Sequence, residues 1–126
     1  YNRNKIIKAV LKNKKYIEQI KFLNVEKNIK PSWFGLAIFI NNDHIKQKKK
    51  YLKFLAKKGI ETRPIISGNF INQPAVKLYR LNKTKNKFVN AQVIEDQGFF
   101  IGLHTNKISD KLANYIASSL LRINEI

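Results

Sequence analysis

A chain of 126 residues that is 44% apolar and 11% aromatic is long enough for one domain with a real core, not for two, and these contents exclude disorder. It has no cysteine, which excludes a disulfide scaffold and a thiolate metal site and is compatible with a reducing compartment. The net charge of +17 invites a nucleic-acid surface, yet only four of the 25 basic residues are arginine, the residue that grips phosphate bidentately. The other 21 are lysines that accompany abundant asparagine and isoleucine, all with A/T-rich codons, so drift in an A/T-rich genome explains the charge without a nucleic-acid partner. No stretch approaches the roughly 18–20 apolar residues of a membrane span, and no membrane partner is expected.

The opening YNRNKIIKAV is basic and helical in pattern, unlike a secretory leader, and the chain contains no methionine. Tyr1 is therefore expected to be a cut inside a longer protein. Ile6, Val10, Ile17 and Ile20 at helical spacing predict a helix over 3–23. A polar connector, 24–30, leads to Pro31. The run SWFGLAIFI (32–40), bounded by Pro31 and Asn41-Asn42, predicts a strand buried on both faces or nearly so. Asp43 can cap a helix over 44–58 with Ile45, Leu52, Leu55 and Ala56 inward, stopped by Gly59. Residues 60–66 predict a second strand. Residues 67–86 read as irregular, with a turn of helix near 76–78 and a polar stretch at 82–86. A short helix over 88–96 ends at Gly98, and 99–103 predicts a third strand. Ser109 can cap a last helix whose stripe is Leu112, Ile116, Leu120 and Ile123.

The order α-β-α-β-loop-α-β-α predicts an α+β fold, a small three-stranded sheet with packed helices, as one unit over 1–126. No complete catalytic set appears within it. His44 and His104 lie sixty residues apart without a carboxylate cluster, too few ligands for zinc. Glu95 and Asp96 would point roughly 100° apart on a helix and do not form an acid/base pair. There is no Gly-rich phosphate loop and no Gly-x-Ser-x-Gly elbow.

Four segments, PSWFG (31–35), KGIETRP (58–64), SGNFINQP (67–74) and GFFIG (98–102), in this order and separation resemble the C-terminal small domain of the DegT/DnrJ/StrS group. These are fold-type-I enzymes dependent on pyridoxal phosphate that act on nucleotide-linked keto-sugars. The resemblance implies a longer enzyme in the cytoplasm, active in cell-surface polysaccharide biosynthesis, with 1–23 as the interdomain helix. It further implies a homodimer with active sites at the subunit interface, and pyridoxal or pyridoxamine phosphate held by a large domain, none being bound by this stretch. The group contains aminotransferases, which keep a Schiff-base lysine, and 3-dehydratases, which have histidine there; that position lies outside this chain. SWFG and Gly-Asn-x-x-x-Gln-Pro look like the dehydratase branch, with Phe70-Ile71-Asn72 where Leu-Thr-Arg is usual. GFFIG looks like the aminotransferase-type relatives, with Leu103-His104-Thr105 where Asn-His-His is common.

On this reading Arg63, Gly68, Asn69, Phe70, Gln73 and His104 are the candidate substrate-binding residues. Arg63 stands at a strand end, Gly68 permits the turn, Asn69 offers a donor and an acceptor to sugar hydroxyls, and Phe70 offers a flat face for stacking. Pro74 stiffens the exit. Simpler roles stand beside these. Arg63 can pair with Glu61, Asn69 can serve only the turn, and His104 can be a solvated loop residue. Trp33, Phe34, Phe99 and Phe100 read as core, and KQKKK (46–50) as the wet face of a helix. Two other classes remain open: a basic nucleic-acid-binding module, and a stand-alone small-molecule-binding α+β domain.

Overall fold

Pairing between neighbouring strands builds a four-stranded antiparallel sheet in the order β1-β2-β4-β3. The computed structural model describes residues 1–13, 18–81 and 87–126. Its strands are β1 (Ile20–Phe22), β2 (Gly35–Ile40), β3 (Thr62–Arg63) and β4 (Gly98–Gly102), and its helices are α1 (Asn2–Leu11), α2 (Lys48–Lys57), α3 (Pro74–Leu78), α4 (Val89–Gln97) and α5 (Asp110–Leu120). The class is α+β as expected, with one strand more than the three foreseen. None of the described helices is long and apolar enough to cross a membrane.

The extra strand comes from the expected first helix. That helix does not run over 3–23: α1 ends at Leu11, and Ile20 and Phe22 pair with Ile40 and Ile38. A continued helix would leave the outer edge of β2 with unpaired backbone groups, whereas β1 satisfies them and sends Ile20 into the same core. Ile17 of the expected stripe and the polar stretch 82–86 lie outside the described residues. The expected second strand shrinks to Thr62–Arg63, because Pro64 has no N–H to continue the ladder.

Alternation along the strands gives the sheet two unlike faces. Leu36, Ile38, Ile40, Phe99 and Ile101 point into the core shared with Ile6 and Val10 of α1, Tyr51 and Leu55 of α2, and Leu120 of α5. Tyr51 meets Phe99 edge-on at 5.9 Å, and its hydroxyl donates to Leu120 O at 2.7 Å. The opposite face carries Phe39, Gly98 and Phe100. A Cβ on Gly98, where α4 runs into β4, would meet Ile65 Cδ1 at 2.8 Å, so the segment after β3 covers this end closely.

Local signals account for most helix ends. Ser109 caps α5, its Oγ accepting from Leu112 N at 3.1 Å, as its position predicts. Gly59 follows α2 with φ 72°, the left-handed stop. Asn41, not Asp43, caps the 3-10 turn Asn42–Gln47 that precedes α2. Tyr51 and Leu55 of α2 are buried and Leu52 packs against the core as expected, while Ala56 is exposed. Of the expected last stripe, Leu120 and Ile123 are buried and Ile116 packs against the core. Leu112 is 44% exposed, and Ala113 and Ala117 are buried instead, because small residues let α1 lie close against α5.

Candidate functional site

Between β3 and α3 the chain makes a tight turn that no ladder supports. Ser67 and Gly68 take φ 61° and 54° in succession, a conformation that a side chain makes costly. The turn is held from within by Gly68 N donating to Ile65 O at 2.9 Å and by Gln73 Nε2 donating to Ser67 O at 3.1 Å. A 3-10 turn, Phe70–Asn72, then hands the chain to Pro74 at the first turn of α3.

The exit of this turn rests on α4. The backbone N–H of Asn69 donates to Glu95 Oε2 at 2.6 Å, and Asn69 Nδ2 donates to Gln92 Oε1 at 2.9 Å. Asn72 Nδ2 donates to the same Gln92 oxygen at 2.9 Å and to Glu95 Oε1 at 3.0 Å. Gln92 in turn donates to Asp96 Oδ1 at 2.9 Å, and Lys48 Nζ donates to Glu95 O at 2.7 Å. Burial lowers the pKa of Lys48, with Asp96 and Glu95 opposing that effect. Glu95 and Asp96 thus serve as separate acceptors, in keeping with their divergence on one helix.

The six candidates occupy different surroundings. Gly68, Asn69, Phe70 and Gln73 form one unit, in which Asn69 is buried while Phe70 is 58% exposed. Arg63 pairs with Glu61, Nε and Nη2 donating to Oε1 at 3.0 and 2.8 Å, both side chains being well exposed. These two, with Phe34, Phe100 and Gly102, line a cleft of about 220 Å³. Phe34 is 70% exposed and meets half-buried Phe100 edge-on at 5.4 Å, so neither is the core residue expected, whereas Phe99 is. Trp33 is half-exposed under the Arg3 guanidinium, 4.5 Å from its ring centre.

His104 lines a pocket of about 500 Å³ together with Phe34, Glu61 and Gly102, which also line the Arg63 cleft. It also borders a recess of about 260 Å³ with Asn2, Arg3, Trp33 and Lys107. Its Nδ1 accepts from Asn106 N at 3.0 Å, which in the neutral ring leaves the proton on Nε2. Buried Asn2 ties down this segment, its Nδ2 donating to His104 O and Asn106 O, both at 2.7 Å, and its Oδ1 accepting from Ile108 N at 3.1 Å.

Sequence reasoning missed Asn2, Asn72, Gln92 and Glu95. The spacing of Gln92 and Glu95, three apart on one helix face opposite an asparagine-rich loop, was the available signal.

No protein-family model matches the chain. It is 32% identical over 92 residues to the GDP-4-keto-6-deoxy-D-mannose 3-dehydratase of Escherichia coli, and 30% over 83 residues to that of Yersinia pseudotuberculosis. The matches take in 72% and 66% of this chain. They cover 24% and 21% of the relatives. A solved structure of the E. coli dehydratase with bound hydrated PLP superposes over 94% of this chain and 30% of its own, with TM-score 0.66 and 26% identity. The chain belongs to the DegT/DnrJ/StrS family. A further solved structure of a family dehydratase, a mutant with bound GDP-perosamine, has TM-score 0.67 at the same identity and coverage. Lipopolysaccharide biosynthesis protein RfbH of Salmonella typhimurium is 32% identical over 90 residues, 70% of this chain and 20% of that protein. The chain spans about a fifth to a quarter of the length of these curated relatives.

The family cofactor needs a phosphate cradle and a lysine or histidine at its reactive carbon. The described residues supply a poor fit: Lys48, the lysine whose pKa burial lowers, has its ammonium on the Glu95 carbonyl, and Glu95 and Asp96 accept from loop and helix amides. No described group of three His, Asp or Glu residues could hold a metal ion.

Proposed function

We propose that this chain is the C-terminal small domain of a nucleotide-sugar 3-dehydratase dependent on pyridoxal or pyridoxamine phosphate, supplying substrate-positioning loops and no catalytic group. The observation that carries this reading is the 32% identity to the E. coli GDP-4-keto-6-deoxy-D-mannose 3-dehydratase over 92 residues. The chain's resemblance to the dehydratase branch at SWFG and Gly-Asn-x-x-x-Gln-Pro supports it. The substrate class is a nucleotide-linked keto-sugar, the enzyme a cytoplasmic homodimer without a nucleic-acid partner, and 1–23 the connection to the cofactor domain.

In the longer protein the cofactor, held outside this chain, would supply the electron sink for loss of the sugar hydroxyl. The work of this chain is orientation. Phe70 and Arg63 have the exposure needed to meet a ligand, one by stacking and one by charge-assisted hydrogen bonds. Gly68, Asn69 and Gln73 shape the turn that presents Phe70, and His104 offers Nε2–H in the pocket next to the Arg63 cleft.

Incubation of the longer protein with GDP-4-keto-6-deoxymannose, pyridoxal phosphate and glutamate should give a sugar lacking its 3-hydroxyl, read by mass spectrometry. An amino sugar would assign the aminotransferase branch instead, and unchanged substrate would sink the reading. Arg63→Ala and Phe70→Ala should lower kcat/KM by a few-fold to on the order of a hundredfold with cofactor absorbance unchanged.

A further inference from the structure

Glu95 stands under the turn at the point where the chain has no side chain of its own. A Cβ on Gly68 would lie 2.8 Å from Glu95 Oε2, 2.9 Å from its Cγ and 3.0 Å from its Cβ. The same carboxylate accepts from the loop through both oxygens, Oε2 from Asn69 N and Oε1 from Asn72 Nδ2. An ionised acceptor makes the stronger kind of hydrogen bond to an amide, and two from one carboxylate fix its orientation. Glu95 is itself anchored from a third direction, since Lys48 Nζ of α2 donates to its backbone O. Its helix runs directly into β4, with Gly98 N donating to Ile94 O at the junction. Within the loop, Gly68 N donates to Ile65 O, Gln73 Nε2 to Ser67 O, Asn72 N to Asn69 O and Gln73 N to Phe70 O, but none of these ties the two consecutive left-handed residues to the rest of the fold as Glu95 does.

We propose that Glu95 is a positioning residue for nucleotide-sugar binding, holding the 67–73 turn so that Phe70 and Gln73 are presented in one geometry. The proposal rests on the dehydratase reading above. Gln92 shares the load by accepting from Asn69 and Asn72, but it touches the loop's side chains only, whereas Glu95 also holds its backbone. The carboxylate acts through the loop, not on the sugar.

The test pairs two readouts on the full-length protein. Hydrogen exchange at the Asn69 amide should speed at least on the order of tenfold in Glu95→Ala, with the β2 and β4 amides unchanged. In the same variant KM for GDP-4-keto-6-deoxymannose should rise, lowering kcat/KM on the order of tenfold while kcat and cofactor absorbance stay near wild type. Glu95→Gln keeps an acceptor for the Asn69 N–H and should recover most of both effects. If Glu95→Ala does not fold, Asn72→Ala removes one of the two contacts and should show the same pattern at smaller size. Unchanged exchange at Asn69 would overturn the proposal whatever the kinetics. Faster exchange with wild-type KM would also overturn it. A wild-type protein that consumes no nucleotide-sugar would overturn the dehydratase reading and the substrate half of this one, leaving exchange to decide whether Glu95 holds the loop.

Discussion

Gly35 faces Gly102 across β2 and β4, and a Cβ built on Gly35 would come within 2.6 Å of Phe100 Cδ2. Two of the four family-like segments, PSWFG and GFFIG, thus meet side by side, and the missing side chain makes room for an aromatic ring. Gly35→Ala should displace Phe100, loosen its edge-on contact with Phe34 and cost about 1–3 kcal/mol, the range for overpacking. Urea denaturation of the chain checks this; an unchanged midpoint would show that the ring moves freely.

Tyr51 carries a polar atom into the core, where its hydroxyl donates to Leu120 O at the end of α5. Burial pushes its pKa well up, so the phenol should stay protonated through mild alkali and titrate only as the chain unfolds. Tyr51→Phe should cost about 0.5–1.5 kcal/mol and leave the ring packing on Phe99 in place. Ultraviolet titration and denaturant unfolding of the same samples measure both effects.

Gly59 and Gly68 share a left-handed backbone but differ in surroundings. Nothing lies within 4 Å of a Cβ on Gly59, so Gly59→Ala should cost only the backbone strain of about 1–2 kcal/mol. Gly68→Ala adds the collision with Glu95 and should cost more. Equal losses would mean that the Glu95 side chain swings aside without penalty.

Asn2 joins the first helix to the segment after β4 by three hydrogen bonds. Asn2→Ala leaves two carbonyls and one N–H without their partner. Because the segment is partly solvated, the expected cost is about 1–3 kcal/mol, not the full sum. Faster hydrogen exchange confined to 104–108 should accompany it.

Lys5 and Asp110 form an ion pair at 2.9 Å in the first turn of α5. The hydrogen bond from Lys5, then its charge, holds the Asp110 carboxyl below the usual carboxylate range, and Lys5 is raised chiefly by its hydrogen bond with Asp110. A lowered carboxyl stabilises the fold above its ordinary value of 3.8 and loses that contribution as pH falls through its lower folded value. The raised lysine contributes below 10.5 and loses its share as pH rises through its higher folded value. Wild type and Asp110→Asn should therefore differ in stability at neutral pH and converge in strong acid. A gap that persists below the carboxylate range would assign the loss to something other than charge.

Much of the site was legible. The Ser-Gly-Asn turn, the Glu61–Arg63 pairing offered as the simpler role, and the four family-like segments follow from residue types at fixed spacings. Gly68 and the Ser109 cap are local matters of backbone angle and one hydrogen bond, so the sequence carries them. The burial of Asn69 was not legible. Its partners, Gln92 and Glu95, come from a helix more than twenty residues on, and only packing brings that helix beneath the turn.

The sequence by itself determined the α+β class, the buried run of β2, the stop at Gly59, the cap at Ser109 and the family resemblance, because each depends on neighbours along the chain. Tertiary structure alone decided that Ile20–Phe22 is a strand, since an apolar residue at helical spacing can equally enter the core from a sheet edge that needs pairing. It also decided that Phe34 and Phe100 line an open cleft. Alternation along a strand says which residues share a face, while the elements packed on that face determine whether water still reaches it.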